Sequence, residues 1–286
     1  MNDNRLLYPI KLMATVLDVS RSGYYAWIDR KPSARDTADV VLGVLIRKVH
    51  KESRKTYGPR RIKTELAEQG HVVGRDRIAR VRKSLGLTCI QKRKYKATTN
   101  SKHNFPTAPN LLDQQFTDHP PCTVWGTDIT YIPTAEGWLY LAGVKDFGSK
   151  EIVGWAVGDR MTRELVRDAL KKALAFRTPA VGCIHHSDRG SQYCSHEYRR
   201  DVAVAGFRVS MSRKGNCYDN APTESLWGCI KQELIYPRTF ATRAEAKAAV
   251  QEYIEIFYNR VRRHSAIGNM APSKFAEAYF QEKESA

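Results

Sequence analysis

The sequence predicts an α/β protein in two parts, an all-helical N-terminal region followed by a mixed five-stranded sheet with helices on both faces. Apolar residues recur at a helical period through the first third of the chain, and the period changes to that of strands at Cys122. Beyond Cys122, three strand-like segments precede helices and strands in alternation, which is typical of a sheet covered on both faces. A chain of 286 residues has room for such a domain and for smaller modules.

Positive charge is concentrated in the N-terminal third. The whole chain has a formal net charge of +17. Residues 1–104 hold 24 Lys and Arg against 9 Asp and Glu, whereas residues 105–286 hold 23 against 21. Such a basic surface neutralises phosphates and releases counterions, which favours nucleic acid as the partner over a membrane surface or a purely solubilising role.

A helix-turn-helix is predicted at about residues 57–87, within the basic region 1–104. Pro59 stands in the first turn of one helix, and Gly70 and Gly74 bracket a turn before an arginine-rich helix at 75–85. This outline favours DNA contact; the alternative is an ordinary helical hairpin with a solvated basic face. The side chains of this module that we expect to contact DNA are Arg60, Arg61, Arg75, Arg77 and Arg80.

Helices precede this module, and a basic linker follows it. Residues 9–27 predict two short helices that either pack on the protein or touch DNA, and residues 39–50 predict a longer helix. A basic run after residue 90 lacks apolar periodicity, so it either lies along a phosphate backbone or is a flexible tether. Its candidate DNA contacts are Lys92, Arg93 and Lys94. Residues 105–121 are expected to be an extended connector.

The predicted catalytic region spans residues 122–236. Alternating or short apolar runs predict its strands and amphipathic stretches predict its helices. The expected strands are 123–132, 138–145, 152–157, 183–186 and 207–211, and the expected helices are 162–176, 195–205 and 220–234.

Residues 237–286 are predicted to form a C-terminal helical extension. An amphipathic helix is expected over residues 244–259. A basic cluster follows it and contacts either DNA or the main domain, with DNA slightly favoured. The cluster consists of Arg260, Arg262, Arg263 and His264.

Composition also excludes several classes of protein. The longest apolar runs are far shorter than the ~20 residues of a spanning helix, and the N-terminus lacks the apolar segment of a signal peptide. The six cysteines lie far apart, without finger-like spacing, so we expect reduced thiols rather than disulfides or a zinc site. These features predict a soluble, cytoplasmic protein.

Three carboxylates stand where the predicted sheet brings them together. Asp128 lies in the middle of the first strand, Asp188 just beyond the fourth, and Glu224 in the first turns of the helix packed across them. Such oxygen ligands suit Mg²⁺ or Mn²⁺, which also bind phosphate oxygens. Two such ions about 4 Å apart support in-line phosphoryl transfer. Without metal, three crowded acids raise each other's pKa values.

The residues around these acids resemble a known family. The matching stretches are WGTDIT at 125–130, HSDRGSQY at 186–193, SRKGNCYDNA at 212–221, Glu224 with Lys231, the YNR at 258–260 with the following RH and IG pairs, and YGPRRI at 57–62. They are similar to the DDE transposase and retroviral-integrase superfamily, with its ribonuclease-H-like core. More narrowly, they resemble the second-frame (OrfB) transposases of the insertion-sequence-three family.

The resemblance implies a catalytic and metal-binding triad of Asp128, Asp188 and Glu224 with two Mg²⁺ ions, for which Mn²⁺ substitutes. It implies cleavage at element ends by metal-activated water, then direct attack of the released 3′-hydroxyl on another phosphodiester. It also implies that Lys231, two helical turns beyond Glu224, contacts DNA near the cleaved end; the alternative is a solvent-facing lysine. His185 and His186 are interpreted as core residues or supports of the acids.

The implied partners are double-stranded DNA, further copies of the chain on that DNA, and a first-frame (OrfA) product. Family enzymes usually act as a frameshifted fusion whose first frame supplies another helix-turn-helix and a leucine zipper. This sequence starts at Met1 without sustained heptads, so end recognition and multimerisation are expected to depend on that segment. The other readings of the sequence are a non-catalytic DNA-binding regulator and a related nuclease or integrase.

Overall fold

The computed structural model describes residues 1–90, 107–213 and 217–285. The predicted DNA contacts Lys92, Arg93 and Lys94 lie outside the described residues, as does Asn216 in the loop before Glu224.

After a short 3-10 helix at Asn2–Asn4, five α-helices form the described part of the N-terminal region, residues 1–90. In chain order they are α1 (Ile10–Val16), α2 (Arg21–Ile28), α3 (Ala34–Glu52), α4 (Pro59–Glu68) and α5 (Arg75–Ser84). Helix α3 begins earlier than its apolar period predicts because Ser33 and Asp36 form a capping box at its N-terminus. The predicted helix-turn-helix is α4 and α5, and these two helices share an apolar core with α3. That core includes Ile46, Ile62, Leu66 and Ile78, all fully buried.

The predicted mixed five-stranded sheet is confirmed. Its strands are β1 (Val124–Thr134), β2 (Gly137–Asp146), β3 (Ile152–Gly158), β4 (Ile184–Ser187) and β5 (Arg208–Met211). The strand order is β3-β2-β1-β4-β5. The first three strands form an antiparallel meander, and β4 and β5 are added in parallel beside β1.

Helices cover both faces of this sheet, as predicted. Helices α6 (Arg163–Phe176) and α7 (His196–Val204) pack on one face, around Trp125 and Leu170. Helices α8 (Ala221–Ile230) and α9 (Arg243–Gln251) pack on the other, around Leu141, Ile230 and Tyr253. Residues from both sides of position 236 therefore share one core, and the division into catalytic core and C-terminal extension stays a prediction.

Two predicted helices change their winding before they end. Helix α8 continues as π-helix over Lys231–Ile235, and α9 continues as π-helix over Glu252–Tyr258. A final helix, α10 (Pro272–Ser285), had no individual prediction. No helix among residues 1–90, 107–213 and 217–285 is both long and apolar enough to cross a bilayer.

The basic cluster at residues 260–264 corrects a prediction, because its central arginines bind the protein rather than DNA. Arg262 is 5% exposed and pairs with Glu233 at 2.8 Å. Arg263 is 8% exposed and pairs with Glu65 at 2.6 Å and Glu68 at 2.5 Å, both on α4. A guanidinium removed from water is stable only beside such carboxylates. Arg263 therefore joins the helix-turn-helix to the C-terminal segment.

A tyrosine and a second arginine strengthen this junction. The Tyr57 hydroxyl donates to the Val261 carbonyl at 3.1 Å and accepts from the Arg263 backbone N–H at 2.8 Å. Arg54, just after α3, pairs with Glu252. Arg263 thus contacts α4, and Tyr57 and Arg54 contact the C-terminal segment. We call these contacts together the inter-region latch.

Candidate active site

Asp128 lies on β1 with its side chain toward α8. Its Oδ2 accepts a hydrogen bond from Trp227 Nε1 at 3.1 Å, and its Oδ1 accepts from the Ile129 backbone N–H at 2.7 Å. Trp227 stands one helical turn after Glu224 on α8. The indole therefore connects the strand that carries the first acid to the helix that carries the third.

Strand register brings Asp188 beside Asp128. Thr127 of β1 and Ser187 of β4 are paired in the parallel ladder, and each acid is the next residue along its chain. Neighbouring strands lie about 4.8 Å apart, so the two carboxylates leave the sheet as neighbours. Asp188 Oδ1 accepts from the Gly190 N–H at 2.9 Å, which fixes its direction.

Glu224 stands in the first turn of α8, and its side chain is exposed. Pro222 occupies the start of that helix, where its missing N–H costs nothing. Thr223, the neighbour of Glu224, is buried against Gly126 of β1. The start of α8 is thereby held against the strand that carries Asp128.

Burial and the nearby charge of Asp188 favour the protonated form of Asp128. Burial raises the pKa of Asp128, and the Asp188 carboxylate raises it further. The hydrogen bonds from Ile129 and Trp227 act against this rise, and Glu224 adds a smaller increase. Partial loss of solvent around the Glu224 carboxyl, which is otherwise exposed, raises its pKa. An acid in this condition is stabilised by a bound cation.

Among the described residues, no three carboxylate, imidazole or thiol groups converge closely enough to enclose a metal ion. Asp128 and Asp188 form the close pair, and Glu224 acts on Asp128 more weakly than Asp188 does. The triad as a metal-binding set therefore stays a prediction.

The two histidines before Asp188 are buried and form hydrogen bonds to neighbouring elements of the protein. Burial lowers the pKa of His185 to about 3, and Tyr198 Oη lies 3.1 Å from its Nε2. His186 lies with Nδ1 2.9 Å from Ser210 Oγ and Nε2 2.8 Å from the Asp219 carbonyl oxygen. Its pKa is also lowered by burial, so a neutral ring donates from Nε2 to Asp219 and accepts at Nδ1 from Ser210.

Sequence reasoning missed Trp227 and Asp219. Asp219 is completely buried and accepts from the Arg213 backbone N–H at 2.8 Å, from the Arg213 guanidinium at 2.9 Å and from Gln114 Nε2 at 3.2 Å. It anchors the turn Cys217–Asn220 that leads into α8. The position of Asp219 just before Asn220, Ala221 and Pro222 is the only sequence signal for a role at the start of the helix that carries Glu224.

Lys231 is mostly buried, in contrast to a solvent-facing lysine. Its Nζ lies 4.7 Å from the centroid of the Tyr131 ring on β1. It occupies the first residue of the π-helical stretch after α8.

The arginines of the helix-turn-helix differ in their availability. Arg60 is exposed, and Arg61 lies over the Tyr57 ring at 5.6 Å. Arg75 is exposed and pairs with its neighbour Asp76. Arg77 and Arg80 form ion pairs with Asp39 of α3 at 2.8 and 2.6 Å, so both connect α5 to α3.

Family models match the chain in three places. An HTH-like domain matches residues 38–95, and two integrase core domain models match residues 118–217 and 205–272. Among solved structures, the HTLV-2 integrase catalytic core domain in complex with magnesium aligns with 55% of this chain and 97% of its own at 14% identity and a TM-score of 0.43.

Curated relatives match almost the whole chain. An uncharacterized 31 kDa protein of insertion element IS600 from Shigella sonnei is 56% identical over 94% of this chain and 99% of its own length. The transposase InsF for insertion sequence IS3A from Escherichia coli strain K12 is 39% identical over 94% of each chain. With these identities over nearly its full length, and with a helix-turn-helix joined to an integrase core, the chain belongs to the insertion-sequence-three family of transposases.

Proposed function

We propose that Asp128, Asp188 and Glu224 bind divalent metal and catalyse cleavage at the ends of a mobile DNA element, followed by strand transfer. The parallel register that places Asp128 and Asp188 side by side under α8 carries this proposal. The family assignment makes the chain a DNA transposase, and DDE enzymes of this kind are polynucleotidyl transferases.

The donor set fits Mg²⁺ or Mn²⁺. All three candidate ligands are carboxylates, and the burial of Asp128 beside the Asp188 carboxylate, which raises the pKa of Asp128, disfavours an anion that a bound cation would stabilise. Two such ions activate the attacking oxygen and stabilise the leaving oxygen when bound.

The protein's own contribution is to hold the acids in place. Trp227 and the Ile129 N–H each occupy one oxygen of Asp128, and the Gly190 N–H orients Asp188. The acids act as ligands and not as nucleophiles, so the 3′-hydroxyl attacks the phosphodiester directly, with no covalent protein–DNA intermediate.

DNA contact is proposed for the helix-turn-helix and for Lys231, whose ammonium must move out from the Tyr131 ring to reach a phosphate because the residue is only 7% exposed. Arg60 and Arg75 have the exposure that phosphate contact needs, whereas Arg77 and Arg80 reach DNA only with the guanidinium edges that Asp39 leaves open. The basic residues Lys92, Arg93 and Lys94 are proposed to continue this contact. Further copies of the chain and a first-frame product are the proposed protein partners.

The test is nicking and strand transfer on duplexes that carry the element's own end sequence, with Mg²⁺ or Mn²⁺. Asp128→Asn, Asp188→Asn and Glu224→Gln are each expected to abolish both reactions while DNA binding persists. Intact activity in any of the three refutes the triad. Wild-type protein that binds end DNA but never cuts it with Mn²⁺ would instead indicate a regulator.

A further inference from the structure

A cavity of about 490 Å³ lies beside α8 on the side away from Asp128, where three parts of the chain meet. Thr56 and Arg61 of the helix-turn-helix region, Lys145 at the end of β2, and His264 of the C-terminal segment all line it. It therefore touches the DNA-reading module, the sheet and α8 at once.

Positive charge dominates the described lining. Arg61, Lys145, Lys150 and Arg262 carry positive charge, against the single carboxylate of Glu233. Glu233 already pairs with Arg262 at 2.8 Å and accepts from the Tyr253 hydroxyl at 2.7 Å. Three cations are thus left without a carboxylate among the lining residues.

The other contacts of these three cations are to neutral groups. Lys145 is 6% exposed and donates to the Pro222 carbonyl at 3.2 Å, and Lys150 donates to the Phe147 carbonyl. Arg61 lies against the Tyr57 ring. Asp146 and Asp118 lie near enough to act on Lys150, but neither is within ion-pair distance of it. The Asp146 carboxylate accepts instead from the Cys122 and Gly148 N–H groups and from the Ser149 hydroxyl.

The burial of these cations close to one another lowers the pKa values of Lys145 and Arg61. Burial, followed by the charge of Lys150, lowers the pKa of Lys145 to about 8. Burial, followed by the charge of Arg262, lowers the pKa of Arg61. Partly buried cations without a counter-charge are costly, and a bound anion removes that cost.

We infer that this cavity binds a phosphate of the DNA backbone through Arg61, Lys145 and Lys150. A guanidinium and two ammonium groups in a recess are the donors that phosphate oxygens take up. The Ser225 and Ser265 side chains line the same recess and add hydroxyl donors.

The position of the cavity selects DNA over a free phosphate ion or a nucleotide. Ser225 lines it and follows Glu224 directly along α8, so the cavity and the acids flank the same helix. A helix with its side chains is about 10 Å across, roughly three base-pair steps of about 3.4 Å. One DNA strand that is bound at α4 and runs across α8 would thus place one phosphate in the cavity and another at the acids. The inference rests on the proposed DNA substrate.

The test is the salt dependence of binding of end DNA to the full-length chain, measured by fluorescence anisotropy in EDTA. Each phosphate contact contributes about 0.9 to the slope of log K against log salt. Arg61→Gln and Lys150→Gln are each expected to weaken binding several-fold and to lower the slope by up to about 0.9, because the three cations share one phosphate. Arg61→Lys and Lys150→Arg keep the charge and are expected to keep the slope.

Lys171→Gln is the matched control, because Lys171 is an exposed lysine on α6, across the sheet. A slope that is unchanged in Arg61→Gln and Lys150→Gln, or changed no more than in the control, overturns the inference. A second arm measures the thermal shift of each variant with pyrophosphate. Loss of the pyrophosphate shift with DNA binding intact assigns the cavity to a small phosphate and also overturns it. Because EDTA prevents cleavage, the binding measurement can be interpreted even if the proposed cleavage chemistry fails.

Discussion

Trp227 shows how a single side chain serves two elements. Its Nε1 reaches Asp128, and its ring lies on Gly143 of β2, where an added Cβ would come within 2.7 Å of the indole. Gly143 is the cross-strand partner of Asp128. The absence of a side chain at Gly143 is what lets the indole lie close enough to the sheet to donate to the acid.

Replacing Trp227 with Phe keeps the aromatic packing and removes the donor. A hydrogen bond to a charged group contributes about 1.5–3 kcal/mol, so we expect cleavage to slow by about tenfold or more. The same loss should lower the thermal midpoint by a few degrees. Single-turnover nicking with Mg²⁺ measures the rate, and Trp138→Phe, at an exposed tryptophan of β2, is the control. An unchanged rate in Trp227→Phe would show that the indole does not position Asp128.

Gly126 offers a test of packing under the site. A Cβ at Gly126 would lie 2.4 Å from the Phe147 ring and 3.0 Å from Thr223. Gly126→Ala should therefore destabilise the protein by about 1–3 kcal/mol through overpacking. Gly228→Ala is the control, because its Cβ meets nothing within 4 Å and alanine favours the α8 helix. Thermal unfolding that ranks Gly126→Ala at or above wild type contradicts this prediction.

At the scale of elements, the turn Cys217–Asn220 determines where α8 begins. The buried Asp219 carboxylate holds Arg213 and Gln114, and its carbonyl accepts from His186 of β4. The helix bearing Glu224 is thus aligned with the strand that ends at Asp188. The third acid depends on this turn more than on contacts of its own.

Asp219→Asn should remove a pH-dependent part of the stability. The Arg213 guanidinium holds the pKa of Asp219 well below its usual value. A carboxyl whose pKa is lower in the folded than in the unfolded protein contributes its full stabilisation above the unfolded pKa of about 3.9. That stabilisation is lost as the pH falls below this value. Urea midpoints of wild type and Asp219→Asn should therefore differ at pH 7 and approach each other toward pH 3. A difference that stays constant over this range would contradict the prediction. Asp113→Asn, at an exposed partner of Arg213, should have little effect.

Most elements could be predicted from the sequence because their periodicity is local. The strand positions placed Asp128 within the first strand and Asp188 just beyond the fourth, whereas the pairing of β1 with β4 that sets the two acids side by side is not marked by periodicity. The π-helical ends of α8 and α9 were not predictable, since a change of winding alters no apolar period long enough to notice. Trp227 was missed because an indole in an apolar helix carries no mark of the acid it touches.

At the scale of the whole molecule, the inter-region latch sets the helix-turn-helix against the catalytic region. Arg263 reaches Glu65 and Glu68, which are nearly 200 positions away in the chain. Consecutive arginines near a C-terminus are typical of a DNA-binding face, and nothing local marks acids so distant as their partners. That separation is why the sequence left both alternatives open for Arg262 and Arg263, and why the slight preference for DNA was wrong.

Arg263→Gln should loosen the latch. Removing one partner of a fully buried ion pair costs about 3–5 kcal/mol, and the partial exposure of Glu68 reduces this to about 1–3 kcal/mol. We expect faster proteolysis near α4 and a larger loss of cleavage rate than of DNA affinity. Arg260→Gln, at the exposed neighbour, is the control for charge. Equal proteolysis of wild type and Arg263→Gln would show that the latch does not hold the two regions together.

The register of β1 and β4 has a consequence for how this protein tolerates change in length. Asp128 and Asp188 are sixty positions apart, but their spacing is determined by the pairing of Thr127 with Ser187. Extra residues in the loop between α6 and β4, where Val181 is fully exposed, lengthen the chain without separating the acids. A slip of one position in β4 would instead displace Asp188 from Asp128. Insertions are therefore compatible with the proposed catalysis in that loop and incompatible with it inside either strand, so chains of different length can keep the two acids side by side.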